Sequence, residues 1–180
     1  MNLREEREKV IDLFNELDFR IYLYRQSTGI DCVEYCKGEC CEKEDIFATT
    51  LEFIPLAFML FEQKKEGMIE RIYSTEDRLC LLFDKNTGRC TEYNYRGLIC
   101  RLFGFASMRM KDGSLAIVSC RHIKSVFKRT IESQIDPVLM TDYHTRLMGI
   151  DIELAREENP INTAMRRAVE KVGLFIKYGS

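Results

Sequence analysis

No stretch of this chain is apolar for long enough to cross a bilayer. Its longest apolar run, residues 53–61, falls well short of the ~20 residues a spanning helix needs. A secretory leader is missing too. The chain starts Met1-Asn2-Leu3-Arg4-Glu5-Glu6-Arg7-Glu8-Lys9, charged and mixed in sign, with no basic start leading into an apolar segment and a small-residue cleavage site. We therefore expect a cytoplasmic protein with no membrane contact. Neither sign of charge dominates: 27 Lys and Arg face 29 Asp and Glu, which leaves a net charge of −2. Dedicated nucleic-acid binders draw affinity from a basic surface, so no nucleic-acid partner is expected. The locally basic stretch 121–129 reads as a solvated helix face. Internal repeats and Gly-, Ser- or Pro-rich linkers are absent, so residues 1–180 read as a single domain. There is no glycine-rich phosphate loop, no His-Glu-x-x-His helix and no recognisable serine triad. Histidine is scarce. His122 follows Cys120 closely enough to be a ligand candidate, and His144 falls in an expected helix; both read more simply as solvated or capping residues.

Cysteine, by contrast, is abundant and ordered. Cys32, Cys36, Cys40, Cys41, Cys80, Cys90, Cys100 and Cys120 all fall in the middle of the chain, and the first four lie within ten residues. Thiolates gathered this closely need neutralising by a metal or by disulfides. A cytoplasmic chain of 180 residues rarely forms disulfides and can bury a core without them. Metal or iron–sulfur ligation is the better reading, with all eight cysteines as candidate ligands. The cofactor would be Zn2+ or iron, the latter as an ion or a 4Fe–4S cluster.

Eight thiolates divide into two four-cysteine sites, or into one site with spare thiols. Adjacent Cys40 and Cys41 point to opposite sides of an extended backbone, so they serve different sites or one site around a bend. The later cysteines are separated by nine, nine and nineteen residues, too many for a local knuckle, so folding must assemble the site. Arg89, Arg101 and Arg121 each neighbour a cysteine and Arg96 precedes Cys100 by four residues. They are candidates for balancing thiolate charge. Asp84 and Asp112 read as turn residues, and Tyr93 and Tyr95 as packing beside the site.

The expected fold is mainly α with a small antiparallel β-hairpin region (α+β), a cysteine-rich centre within a helical frame. Val10, Phe14, Leu17, Ile21 and Tyr24 predict one buried face of a helix over residues 3–26, stopped at Gly29. Gly38 can turn the first cysteine loop toward a common point. Thr49-Thr50-Leu51-Glu52 has the form of a capping box before a helix ending near Glu66-Gly67, with Pro55 as a kink or as its true first turn. Hairpins are expected around residues 84–88 and 111–113. Helices are expected over residues 122–133, from Asp136-Pro137 to about Arg156, and from Asn159-Pro160 onward. Ile161, Ala164, Met165, Ala168, Val169, Val172, Phe175 and Ile176 would pack the last one.

The order of these cysteines resembles the YkgJ-like cysteine-cluster family, described as chelators of zinc or iron. The resemblance runs over residues 30–122. It rests on Cys32, Cys36, Cys40 and Cys41, on Thr49 and Glu52 opening a helix, on Cys80 and Cys90 across a turn, on Tyr93 through Cys100-Arg101-Leu102-Phe103-Gly104-Phe105, and on the late Cys120. Two family prolines are replaced, by Gly97 and Gly104. The resemblance implies metal or iron–sulfur binding as the chain's function. A flagellin lysine methylase carries a related cluster, so an iron–sulfur redox or protein-modifying enzyme is the alternative, although no methyl-donor motif is present. A thiol redox sensor is a third reading, and a protein partner is left open.

Overall fold

The computed structural model describes residues 2–29, 38–120, 123–125 and 137–179. Local chemistry sets the frame from the first helix, α1 (Leu3–Thr28). The Asn2 side chain caps it by accepting from the Arg4 amide at 3.2 Å. Glu5 and Glu6 sit in its first turn, where the helix dipole favours negative charge. Gly29 ends it at φ 68°, and its N–H donates to the Arg25 carbonyl. All five expected apolar residues are buried, and Leu3 and Leu13 extend the face.

The capping-box expectation is half right. Glu52 Oε1 accepts from the Thr49 N–H at 2.7 Å, but the Thr49 hydroxyl donates to the same oxygen at 3.0 Å instead of capping an amide. A 3-10 turn, Leu51–Phe53, follows and leads into α2 (Ile54–Glu62). Pro55 lies in the first turn of α2, where its missing N–H costs nothing, so it starts the helix and does not kink it. Residues 54–60 are buried on every side, which makes α2 the central helix.

The expected end near Glu66-Gly67 is displaced. α2 stops at Glu62, Lys64 takes φ 53°, and a separate helix α3 (Glu66–Ser74) begins. Met68, Ile69 and Ile72 pack its one apolar face on the core, a helical period in a segment that reads as loop-rich.

Both hairpins form. β2 (Phe83–Asp84) pairs with β3 (Arg89–Cys90), and β4 (Ala106–Arg109) with β5 (Leu115–Val118), each antiparallel. Between them lie a 3-10 turn (Tyr93–Tyr95) and a short helix α4 (Leu98–Leu102). Two further pairings lay outside the sequence expectation. β6 (Val138–Leu139) joins β4 in parallel, and β1 (Phe47–Thr49) pairs antiparallel with β7 (Glu158–Pro160).

The C-terminal third departs from its expectation in detail. Pro137 leads into β6, and the single helix expected to Arg156 is two: α5 (Met140–Ile150) and α6 (Ile152–Ala155). Asp151 is extended at the break, and its carboxylate caps the Leu154 amide at 2.9 Å. Asn159-Pro160 belongs to β7, and Pro160 itself precedes α7 (Ile161–Tyr178). The α7 stripe packs as expected through Val172; Phe175 is half-buried and Ile176 faces solvent. Phe175 meets Phe58 edge-on, with ring centroids 6.0 Å apart. Of the helix expected over residues 122–133, residues 123–125 are helical and the remainder lies outside the described residues. Among the described residues no helix is long and apolar enough to cross a membrane.

Candidate metal centre

Six of the eight cysteines are described, all of intermediate burial. Cys32, Cys36 and His122 lie outside the described residues. Turns, a short helix and a strand end position the six. Gly38, at φ 86°, bends the chain so that the Cys41 amide donates to the Gly38 carbonyl at 2.7 Å. A Cβ on Gly38 would stand 2.3 Å from the Gly88 carbonyl oxygen. The first cysteine loop thus crosses directly over the β2–β3 turn, and only glycine fits at the crossing. Cys80 precedes β2 and its carbonyl accepts from the Phe83 amide at 3.0 Å; Cys90 ends β3 opposite Phe83. Cys100 sits within α4, and Cys120 packs against the core just after β5.

Five of these thiols act on one another. Cys40 Sγ and Cys41 Sγ are 4.0 Å apart. The Cys41 thiol is driven far above its ordinary range by its contact with Cys40 and by burial, with Cys100 and Cys80 adding to the effect. Burial pushes Cys100 up to about 12, reinforced by Cys80, Glu52, Cys90 and Cys40. Burial likewise pushes Cys80 up to about 11, with Cys90 contributing. Cys90 is raised by burial, and Arg96 and Arg101 pull it back toward the thiolate. Four separate segments therefore bring Cys40, Cys41, Cys80, Cys90 and Cys100 within electrostatic reach of each other. As protonated thiols they do not close into a coordination shell: among the described residues no three Cys, His, Asp or Glu side chains stand in metal-holding geometry. The donor set still suits a soft cation. Sulfurs kept from ionising by burial, with neighbouring cysteines adding to the effect, are relieved by a positive charge placed among them.

Two of the candidate arginines, Arg96 and Arg101, act on Cys90. Asp18 of α1 holds both: Arg96 Nη2 donates to Oδ1 at 2.8 Å, and Arg101 Nη1 donates to Oδ2. Arg101 is 3% exposed, also donates to the Arg96 and Asn94 carbonyls, and lies 4.4 Å from the Phe14 ring centroid. Arg96 stacks on Tyr93 at 3.9 Å. One carboxylate thus faces two guanidinium groups, and the residual positive charge borders Cys90. Arg89 is solvent-exposed and Arg121 lies outside the described residues. Tyr95 packs against the core as expected, whereas Tyr93 is exposed under Arg96. Asp84 and Asp112 are turn residues, accepting from the Asn86 and Ser114 amides. His144 is remote, half-exposed and 3.9 Å from Glu158.

Three residues that position the cysteines were not legible as such. Asp18 is one. Glu52 is another: its Oε2 accepts from the Leu98 N–H at 2.5 Å, which ties the first turn of α4, and with it Cys100, to the β1 end. Its place in a capping box was the only signal. Asn162 on α7 is the third. It accepts from the Leu81 amide at 3.0 Å and donates to the Asp77 and Leu79 carbonyls at 2.7 and 2.8 Å, clamping the segment that carries Cys80. No local pattern announces it.

The two glycines that replace family prolines differ in kind. Gly97, at φ −66°, keeps a backbone shape proline could take, but a Cβ there would come within 2.9 Å of Glu52 Oε2. Gly104, at φ 97°, adopts a conformation closed to proline, and its N–H donates to the Val118 carbonyl at 2.7 Å. That bond joins the Cys100 helix to the strand leading to Cys120.

Against known proteins, residues 31–124 match the CxxCxxCC family, whose description reads "putative zinc- or iron-chelating domain". Comparison with curated proteins and with solved structures gave no match. The matched span holds all eight cysteines and more than half of the chain, and the protein belongs to the CxxCxxCC family.

Proposed function

We propose that the chain holds zinc or iron through the thiolates of Cys32, Cys36, Cys40, Cys41, Cys80, Cys90, Cys100 and Cys120. The observation that carries this reading is that four separate segments deliver buried thiols to one neighbourhood, where burial raises them and repulsion from other cysteines adds at Cys41, Cys80 and Cys100. Metal binding displaces thiol protons and turns that repulsion into cohesion. Arg96 and Arg101 offset the negative charge left on a thiolate-rich centre. A site closed by four thiolates leaves no position for a substrate, so a zinc-filled centre acts as structure or as an interaction module.

A second reading is an iron–sulfur redox or protein-modifying enzyme. A cleft of about 710 Å3 favours it, because Cys80 forms part of its wall beside Arg71, Asp77 and Lys85. The 4.0 Å approach of Cys40 and Cys41 keeps a thiol redox sensor as the third.

The deciding experiment is metal and acid-labile sulfide analysis, with a visible spectrum, on protein purified without oxygen. Stoichiometric zinc in colourless protein supports the structural role. Iron with matching sulfide and a brown colour supports the redox or enzyme role. Protein without stoichiometric metal, showing reversible oxidation of its thiols, refutes chelation in favour of the sensor.

A further inference from the structure

We propose that a second, smaller cavity, between α1, the 93–95 turn and α4, binds a carboxylate carried on a flat apolar body. The cavity measures about 200 Å3, and Arg25, Arg96 and Arg101 line it together with one acidic group among the described residues, Asp18. Its remaining walls are largely apolar or aromatic, with Ile21, Tyr22, Tyr93 and Phe105 among them, and Cys100 closes one side.

Three features make this a binding site and not only a gap. The first is preorganisation. Arg101 is fixed by the Asp18, Asn94 and Arg96 oxygens, and Arg96 is held flat on Tyr93. An anion docking against Arg96 and Arg101 orders neither of these long side chains, which removes part of the usual entropic cost. The second is donor surplus. A guanidinium carries five N–H donors, and Arg96 commits two, to Tyr93 and Asp18, although its side chain is only 11% exposed. The third is ligand shape. The guanidinium fork matches a carboxylate in two-point contact. Arg25 lies over the Phe105 ring at 5.6 Å and Arg96 over Tyr93, so the same arginines border surfaces on which a flat body can stack. The volume lies below the ~300–1,000 Å3 of drug-sized pockets, which selects a fragment-sized acid. Cys100 enters only as a wall of the cavity.

The test is isothermal titration of the purified protein with sodium benzoate, with neutral benzamide as the uncharged match and inorganic phosphate as the anion lacking an apolar body. We expect saturable one-site binding of benzoate, at least roughly tenfold tighter than benzamide or phosphate. Arg25→Gln, a change at a half-exposed position, weakens it about fivefold or more. Arg25→Lys, which keeps the charge but loses the two-point fork, weakens it less than Arg25→Gln does. Tm measured without ligand shows whether each variant is folded. Absence of saturable benzoate binding, equal binding of benzamide, preference for phosphate, or indifference to Arg25→Gln in folded protein would each overturn the proposal.

Discussion

Glu52 offers the sharpest test of how the fold holds the cysteines. Its carboxyl is 4% exposed and receives the Thr49 amide, the Thr49 hydroxyl and the Leu98 amide. Glu52→Ala leaves the two amides buried without an acceptor and opens a hole where the carboxyl stood. At about 1–3 kcal/mol for each orphaned donor, with a cavity contribution, the expected loss is about 3–5 kcal/mol. A protein of this size has ~5–15 kcal/mol in all, and each kcal/mol moves Tm by ~2–4 °C, so melting should fall by about 10 °C. Glu52→Gln keeps the volume and one acceptor for Thr49, but its amide cannot accept from Leu98, so about 1–2 kcal/mol is expected. Urea denaturation followed by circular dichroism at neutral pH measures both. Metal per chain, determined on the same samples, should drop further for Ala than for Gln, because the start of the Cys100 helix loses its anchor. A Glu52→Ala variant within about 1 kcal/mol of the parent, or more stable than Glu52→Gln, would refute the reasoning.

Cys100→Ser and Cys36→Ser should each lower metal content and Tm; full metal and full stability in both would remove the chelation reading. Gly104→Ala should cost about 1–3 kcal/mol for its positive φ and the approach to Ile123, and Gly104→Pro more because the bond to Val118 is also lost; equal stability of the two by urea denaturation would contradict this. The bond to Arg146 holds the Glu16 carboxyl down to about 2, so the pair contributes above the ordinary carboxylate range and fades as pH falls from ~5 to ~2; because both side chains are well exposed, Arg146→Ala should cost under about 1 kcal/mol at pH 7 and flatten that acid limb. Burial raises Glu6, helped by the facing Asp151, and its Oε2 has no hydrogen-bond partner among the described residues. Its contribution is present at low pH and lost as pH rises through the elevated pKa, so Glu6→Gln should raise neutral-pH stability and remove that slope in a pH series of melts, and a loss of stability would argue against it.

How far the sequence could be read follows from the range of each interaction. The α1 face, the Gly29 stop, both hairpins and the α7 stripe are local patterns, and they stand where the periodicity and turn chemistry put them. The α3 helix was hidden because its apolar residues are few and its neighbours are turn-like; the core against Met68, Ile69 and Ile72 decides its form. β6 and β7 are two and three residues long and exist only through partners far away in the chain, which no local pattern encodes. At the site, chemistry was legible through cysteine clustering, and so was the interest of Arg96 and Arg101. Their shared carboxylate Asp18, 78 residues from Arg96, and the Asn162 clamp, 81 residues from Leu81, were not.

The Asn162 clamp bears on where this protein can be cut. The family match ends at residue 124, yet the amide that grips the Cys80 segment belongs to a helix that starts at residue 161, and the carboxylate that gathers the two arginines precedes the match. A fragment excised at the family borders would leave Leu81 N–H and Leu79 C=O without the Asn162 amide, both guanidinium groups without their shared carboxylate, and α2 without α1 and α7. We expect such a fragment to be insoluble or to lose its metal. The span from α1 through α7 is what keeps these partners together around the cysteine segments.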